Sequence, residues 1–74
     1  MILRLHKHSG DTVFINSDYV TYFEPDELNG GTNIRISGKR VPVMVKENAK
    51  KVTKMMNDIH YEQLQFYKLK NYKR

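Results

Sequence analysis

The feature that most constrains this chain is a periodic run of apolar residues in its last third. Ala49, Val52, Met55, Met56, Ile59 and Phe66 recur at the i, i+3, i+4, i+7 spacing of one helix face, with Gln63 the one polar interruption. At about 100° per residue they fall within an arc of roughly 120°, the width of a stripe that a helix buries against a core. The spacing predicts one long amphipathic helix over residues 47–71. Asn48 is the candidate N-cap, its side-chain oxygen free to accept an otherwise orphaned N–H of the first turn. Lys68, Lys70, Lys73 and Arg74 crowd the far end, where cations suit the negative pole of the helix dipole, and residues 72–74 read as a basic tail. A helix of about 24 residues is roughly 36 Å long.

Upstream, short β-type runs alternate with turn chemistry. Leu3 to Lys7 sets Leu3 and Leu5 against Arg4 and His6, the period of a half-buried strand. Ser9-Gly10-Asp11 turns the chain, and Val13 and Ile15 share a face in the return strand, Thr12 to Ile15. A third run, Tyr19 to Glu24, ends at Pro25-Asp26-Glu27, a corner that reads as a solvated turn. Asn29-Gly30-Gly31 is the strongest turn signal, with glycines suited to the positive φ of a type I′ turn. Asn33 to Ser37 and Arg40 to Val45 follow, the last placing Val41, Val43 and Val45 on one face and Pro42 at an edge or bulge. The expected fold is α+β: an antiparallel five-stranded curled sheet, a β-meander over residues 1–46, followed by one long C-terminal helix in a single domain, 1–74. Phe14, Phe23 and Met44 fall opposite several valines and isoleucines. Either the sheet curls to bury them or they form a second apolar patch for a partner. Strands of about 17–20 Å are shorter than the helix above them, so the helix is expected to outrun the sheet.

With 74 residues and no cysteine, neither disulfides nor thiolate metal sites can supplement the small core. No apolar run reaches the ~20 residues of a membrane span, and Met1-Ile2-Leu3-Arg4 does not resemble a signal peptide, so a cytoplasmic location is expected. Residues 1–45 carry as many acidic as basic side chains, which leaves the whole net charge of +5 on residues 46–74. A one-sided basic surface attracts nucleic acid, acidic proteins or anionic lipid, and it serves equally as a solvated face.

No residue pattern announces a reaction. His6 and His8 are two apart, a spacing some metal sites use, but no CxxC or HExxH accompanies them and Lys7 lies between. His60, at the border of the helical stripe, reads as a packing residue. Ser9, Ser17 and Ser37 sit in turn contexts, and Gly30-Gly31 lacks the lysine and helix of a phosphate-cradling loop. We expect no catalytic residues, cofactor, metal or small-molecule substrate. The binding readings rest on the helix. Ile59, Tyr61, Gln63, Leu64, Phe66, Tyr67 and Leu69 are the candidate protein interface, with a second copy of the chain or another protein as partner. Lys50, Lys51, Lys54, Lys68, Lys70, Lys73 and Arg74 are the candidate nucleic-acid contacts of an alternative reading, in which aromatic and basic side chains stack bases and neutralise phosphates.

The order of motifs resembles the small flagellum-associated proteins of the FlbD/SwrD type. These begin Met-Ile and carry a glycine and then an asparagine six residues on, here Gly10 and Asn16. An Asn-x-Asp-hydrophobic run to an acidic residue follows (Asn16-Ser17-Asp18-Tyr19-Val20 through Phe23-Glu24), then Pro25-Asp26, Gly38-Lys39 and Val45-Lys46-Glu47. The likeness covers roughly residues 1–53. The chain departs from it in one extra residue before Gly10, a longer loop at Leu28 to Gly31, Pro42 within a strand, and a longer helix with a basic end. The resemblance implies a cytoplasmic, non-enzymatic accessory factor linked to flagellar motor output, with no catalytic residues to carry over. The divergent last third also fits a factor borne on a phage or another mobile element.

Overall fold

The computed structural model describes residues 1–59. Five strands and a helix follow one another: β1 (Ile2–His6), β2 (Thr12–Asn16), β3 (Val20–Pro25), β4 (Thr32–Ile36), β5 (Val43–Val45) and α1, described over residues 49–59. A single 3-10 turn, Ser17–Tyr19, joins β2 to β3, with Asn16 Oδ1 accepting the Asp18 N–H at 3.0 Å. The class is α+β, as expected, but the strands form two antiparallel sheets, β1-β2 and β3-β4-β5, rather than one curled sheet. One antiparallel bridge, Lys7 to Val45, ties them, reinforced by the Lys46 N–H donating to the His6 carbonyl at 2.8 Å. The pairing stops there because both strands end: β1 turns away at Lys7 and β5 hands the chain to α1.

The first hairpin closes as its turn residues require. Gly10 takes φ 96°, and the Lys7 N–H donates to the Asp11 carbonyl at 2.8 Å. In the register Leu3 faces Ile15 and Leu5 faces Val13, so the period of two puts all four on the inner face. On β4 the inner residues are Thr32, Ile34 and Ile36, and on β5 Val43 and Val45.

The structure alters several of the local readings. Simple alternation from Tyr19 sets Phe23 on the face opposite Val20. A bulge between Val20 and Tyr22 inserts an extra residue, so that Val20 and Phe23 both face the core. The strand expected to begin at Arg40 begins at Val43, leaving Val41 exposed, since Pro42 has no N–H to give a ladder. The Asn29-Gly30-Gly31 signal does not make a two-residue turn. The loop runs from Asp26, whose N–H donates to the Gly31 carbonyl at 3.0 Å and whose carbonyl accepts the Gly30 N–H at 2.8 Å. Its carboxylate accepts the backbone N–H of Leu28 and of Asn29, so Asp26 is a buried organiser of this loop and not a solvated residue. Gly31, at φ 79°, is needed twice over, since a Cβ there would overlap the Val45 carbonyl oxygen.

Asn48 caps α1 as predicted, its Oδ1 accepting the Lys51 N–H at 2.8 Å. Val52 is buried, and Met55, Met56 and Ile59 pack beside it onto Leu3, Leu5, Ile15, Ile34 and Val45. One core is thus roofed by the helix and walled by both sheets. The rest of the predicted 47–71 helix, and with it the overhang, lies outside the described residues.

Candidate interaction surface

Inward packing of Leu3, Leu5, Val13 and Ile15 forces the intervening residues of the first hairpin outward. Phe14 is 65% exposed and Ile2 61% exposed. Arg4 is paired with Phe14 and Ile2 with Asn16, so Ile2 and Phe14 are diagonal neighbours on one outer face. On the second sheet the outer face carries exposed Tyr22 and Met44, with Asn33 and Arg35 between them. Arg35 Nη1 donates to the Arg40 carbonyl at 3.0 Å, while Arg35 Nε and Asn33 Oδ1 have no partner among the described residues. Of the three residues that alternation set opposite the valines and isoleucines, Phe14 and Met44 are exposed, each on the outer face of its own sheet, and Phe23 packs against the core.

A cleft of about 210 Å³ runs along β2. Val13, Phe14, Ile15 and Asn16 line one side, and Tyr19, Ile36, Lys39 and Val43 the other. Residues of both faces of β2 take part, which places the cleft along the edge of the strand.

The second feature is a junction that local sequence patterns do not reveal. The Glu47 carboxylate accepts the His6 N–H at 2.9 Å and His6 Nδ1–H at 2.7 Å. Its backbone carbonyl accepts the buried Thr32 hydroxyl at 2.8 Å. The end of β1, the start of β4 and the entry to α1 thus meet at Glu47, whose side chain is only 7% exposed. Burial alone would raise this carboxyl, but the hydrogen bonds from the His6 ring and the His6 N–H outweigh it and hold it below the ordinary glutamate value. An oriented imidazole beside a carboxylate is part of a general-base arrangement. The open depression around it is lined, among the described residues, by His6, Lys46, Glu47, Asn48 and Lys51, none of which carries a hydroxyl or thiol.

His6 and His8 do not converge. His6 is committed to Glu47, His8 lies exposed in the turn, and no group of three metal-ligating side chains occurs among the described residues. Lys50, Lys51 and Lys54 are exposed on the outer side of α1, with Lys54 loosely paired to Asp58 at 3.4 Å. Of the interface residues read from sequence, Ile59 is half-buried against the core. Tyr61, Gln63, Leu64, Phe66, Tyr67 and Leu69 lie outside the described residues, as do Lys68, Lys70, Lys73 and Arg74. No described helix is long and apolar enough to cross a membrane. No protein-family model, curated protein or solved structure matches the chain.

Proposed function

We propose that this chain is a non-enzymatic adaptor that acts through protein–protein contacts, with a second copy of itself or another protein as partner. The observation that carries the reading is the apolar outer face of the first hairpin, where Ile2 and Phe14 stand exposed while the same strands fill the core from their other side. Full burial of a large apolar side chain is worth about 1.5–3 kcal/mol, so a partner that covers both gains a substantial share of a modest affinity. The helical stripe continuing in sequence to Phe66 supports a second contact on the same terms. The resemblance to flagellum-associated accessory factors is in keeping with this kind of role.

The test is capture from a lysate of the source cells with the tagged chain, before and after nuclease. Retention of a defined protein partner after nuclease, weakened by Ile2→Ser with Phe14→Ser, is the expected result. Exposed Lys50, Lys51 and Lys54 support a second reading, a nucleic-acid contact along the basic helix. It predicts nuclease-sensitive capture and binding to a DNA column that falls steeply with salt. Glutamine at Lys50, Lys51, Lys54, Lys68, Lys70, Lys73 and Arg74 should then abolish retention.

A further inference from the structure

The two sheets have four edges; those of β1 and β5 meet at the Lys7–Val45 bridge, and those of β2 and β3 have no strand beside them among the described residues. These last two are not equivalent. The β3 edge carries the bulge between Val20 and Tyr22, the acidic Glu24 and a terminal Pro25, three devices that obstruct pairing with another strand. The β2 edge, Thr12-Val13-Phe14-Ile15-Asn16, carries no charge, no proline and no bulge.

The register shows which backbone groups that edge offers. The Ser17 N–H donates to the Met1 carbonyl and the Lys7 N–H to the Asp11 carbonyl, both at 2.8 Å. Hydrogen-bonded pairs alternate along an antiparallel ladder. Leu3–Ile15 and Leu5–Val13 are therefore the pairs bonded to β1. Thr12 and Phe14, and the N–H of Asn16, point away from β1 toward the cleft side.

We infer that β2 is a docking edge for a second copy of this chain, paired antiparallel about a two-fold axis at Phe14. In that register Phe14 exchanges both backbone hydrogen bonds with its counterpart, and the Asn16 N–H donates to the partner's Thr12 carbonyl. Phe14 stacks beside the partner's Phe14 on the outer face, and Val13 lies opposite the partner's Ile15 over the cleft. An uncharged strand fits an uncharged strand, and antiparallel symmetry makes this one complementary to itself. The partner's Asp11 comes opposite Ser17, and the cleft beside β2 is lined also by the basic Lys39. A ladder of five residues buries less than the roughly 1,200 Å² of a stable interface, so the dimer is a weak one. This deepens the adaptor reading by naming the partner and the surface, and it is separate from any contact made by the helix.

The experiment is light scattering of the full chain over a concentration series reaching the millimolar range, with amide hydrogen exchange at the two ends of that series. The variants are Phe14→Lys, Phe14→Pro and, as the helix control, Leu64→Ser with Phe66→Ser, each checked for native circular dichroism. Phe14→Pro removes an N–H that β1 does not use, and Phe14→Lys keeps the N–H but places like charges across the axis. The expected result is a dimer mass at high concentration that added salt preserves or strengthens, since two chains of net charge +5 otherwise repel. The Phe14 and Asn16 amides should slow severalfold in exchange as concentration rises, and both Phe14 variants should lose the dimer. A chain that stays monomeric throughout overturns the inference, even if another protein's strand binds this edge. So does a dimer that survives in folded Phe14→Lys and is lost only in the helix control, an outcome that leaves the adaptor reading standing.

Discussion

Glu47 is the residue on which the most structure converges, and its charge state has a direct consequence for stability. Its carboxyl titrates lower in the folded chain than its ordinary value of 4.5. A lowered folded-state value means the unfolded chain takes up the proton first. The contribution is therefore fully present above the ordinary glutamate range and is lost as pH falls through the lower folded value. Thermal melts between neutral pH and about pH 3 should show the chain weakening on the acid side. Glu47→Gln should flatten part of that dependence and cost about 1.5–3 kcal/mol at neutral pH, the range for hydrogen bonds to a charged group. Asp26 acts in the same direction, held low chiefly by the Asn29 N–H, so some acid sensitivity remains in the variant. The glycines give a second residue-scale contrast. Gly30 and Gly31 share a positive φ of 78° and 79°, but only Gly31 abuts the Val45 backbone. Gly30→Ala should cost about 1 kcal/mol, the price of a left-handed alanine, and Gly31→Ala distinctly more, as read from denaturant midpoints.

At the scale of elements, α1 is legible from sequence almost residue by residue, and β3 is not. The cap at Asn48 and the Val52, Met55, Met56, Ile59 face follow from helix geometry alone. Asn48→Ala should cost about 1 kcal/mol, measured by chemical denaturation, with faster exchange at the Lys51 amide that it caps. The β3 strand defeats a period-two count, because one bulge reverses which side chains face inward after it. Nothing in Val20-Thr21-Tyr22 marks that bulge locally; it is the register with β4 that imposes it. Pro42, by contrast, is an explicit signal: β5 is an edge strand of its sheet, and its ladder begins only after the proline, at Val43.

For the whole molecule, the exposed and buried faces of the first hairpin allow stability and the proposed association to be tested apart. Phe14→Lys lies on the exposed face and should change stability by no more than about 0.5 kcal/mol. Val52→Ala removes buried methyl groups from the point where the helix meets both sheets and should cost about 1–3 kcal/mol. Equilibrium unfolding of the two variants beside their scattering masses checks that division of labour. The candidate surface was only partly legible beforehand. Alternation set Phe14 and Met44 on the face opposite the valines and isoleucines without deciding whether that face is covered, and the cleft along β2 depends on Tyr19, Ile36, Lys39 and Val43 arriving from other elements.

By itself the sequence determined the α+β class, the first hairpin, the capped helix and its buried face. These are set by side-chain periods and turn conformations that act over a few residues. Only the tertiary structure decided that the strands divide into two sheets, that Phe23 turns inward, and that the edge of β3 carries a bulge while that of β2 lies beside a cleft. It alone joined His6 to Glu47, 41 residues apart. Such pairings depend on how separately encoded elements pack against a shared core, and no local spacing carries that information.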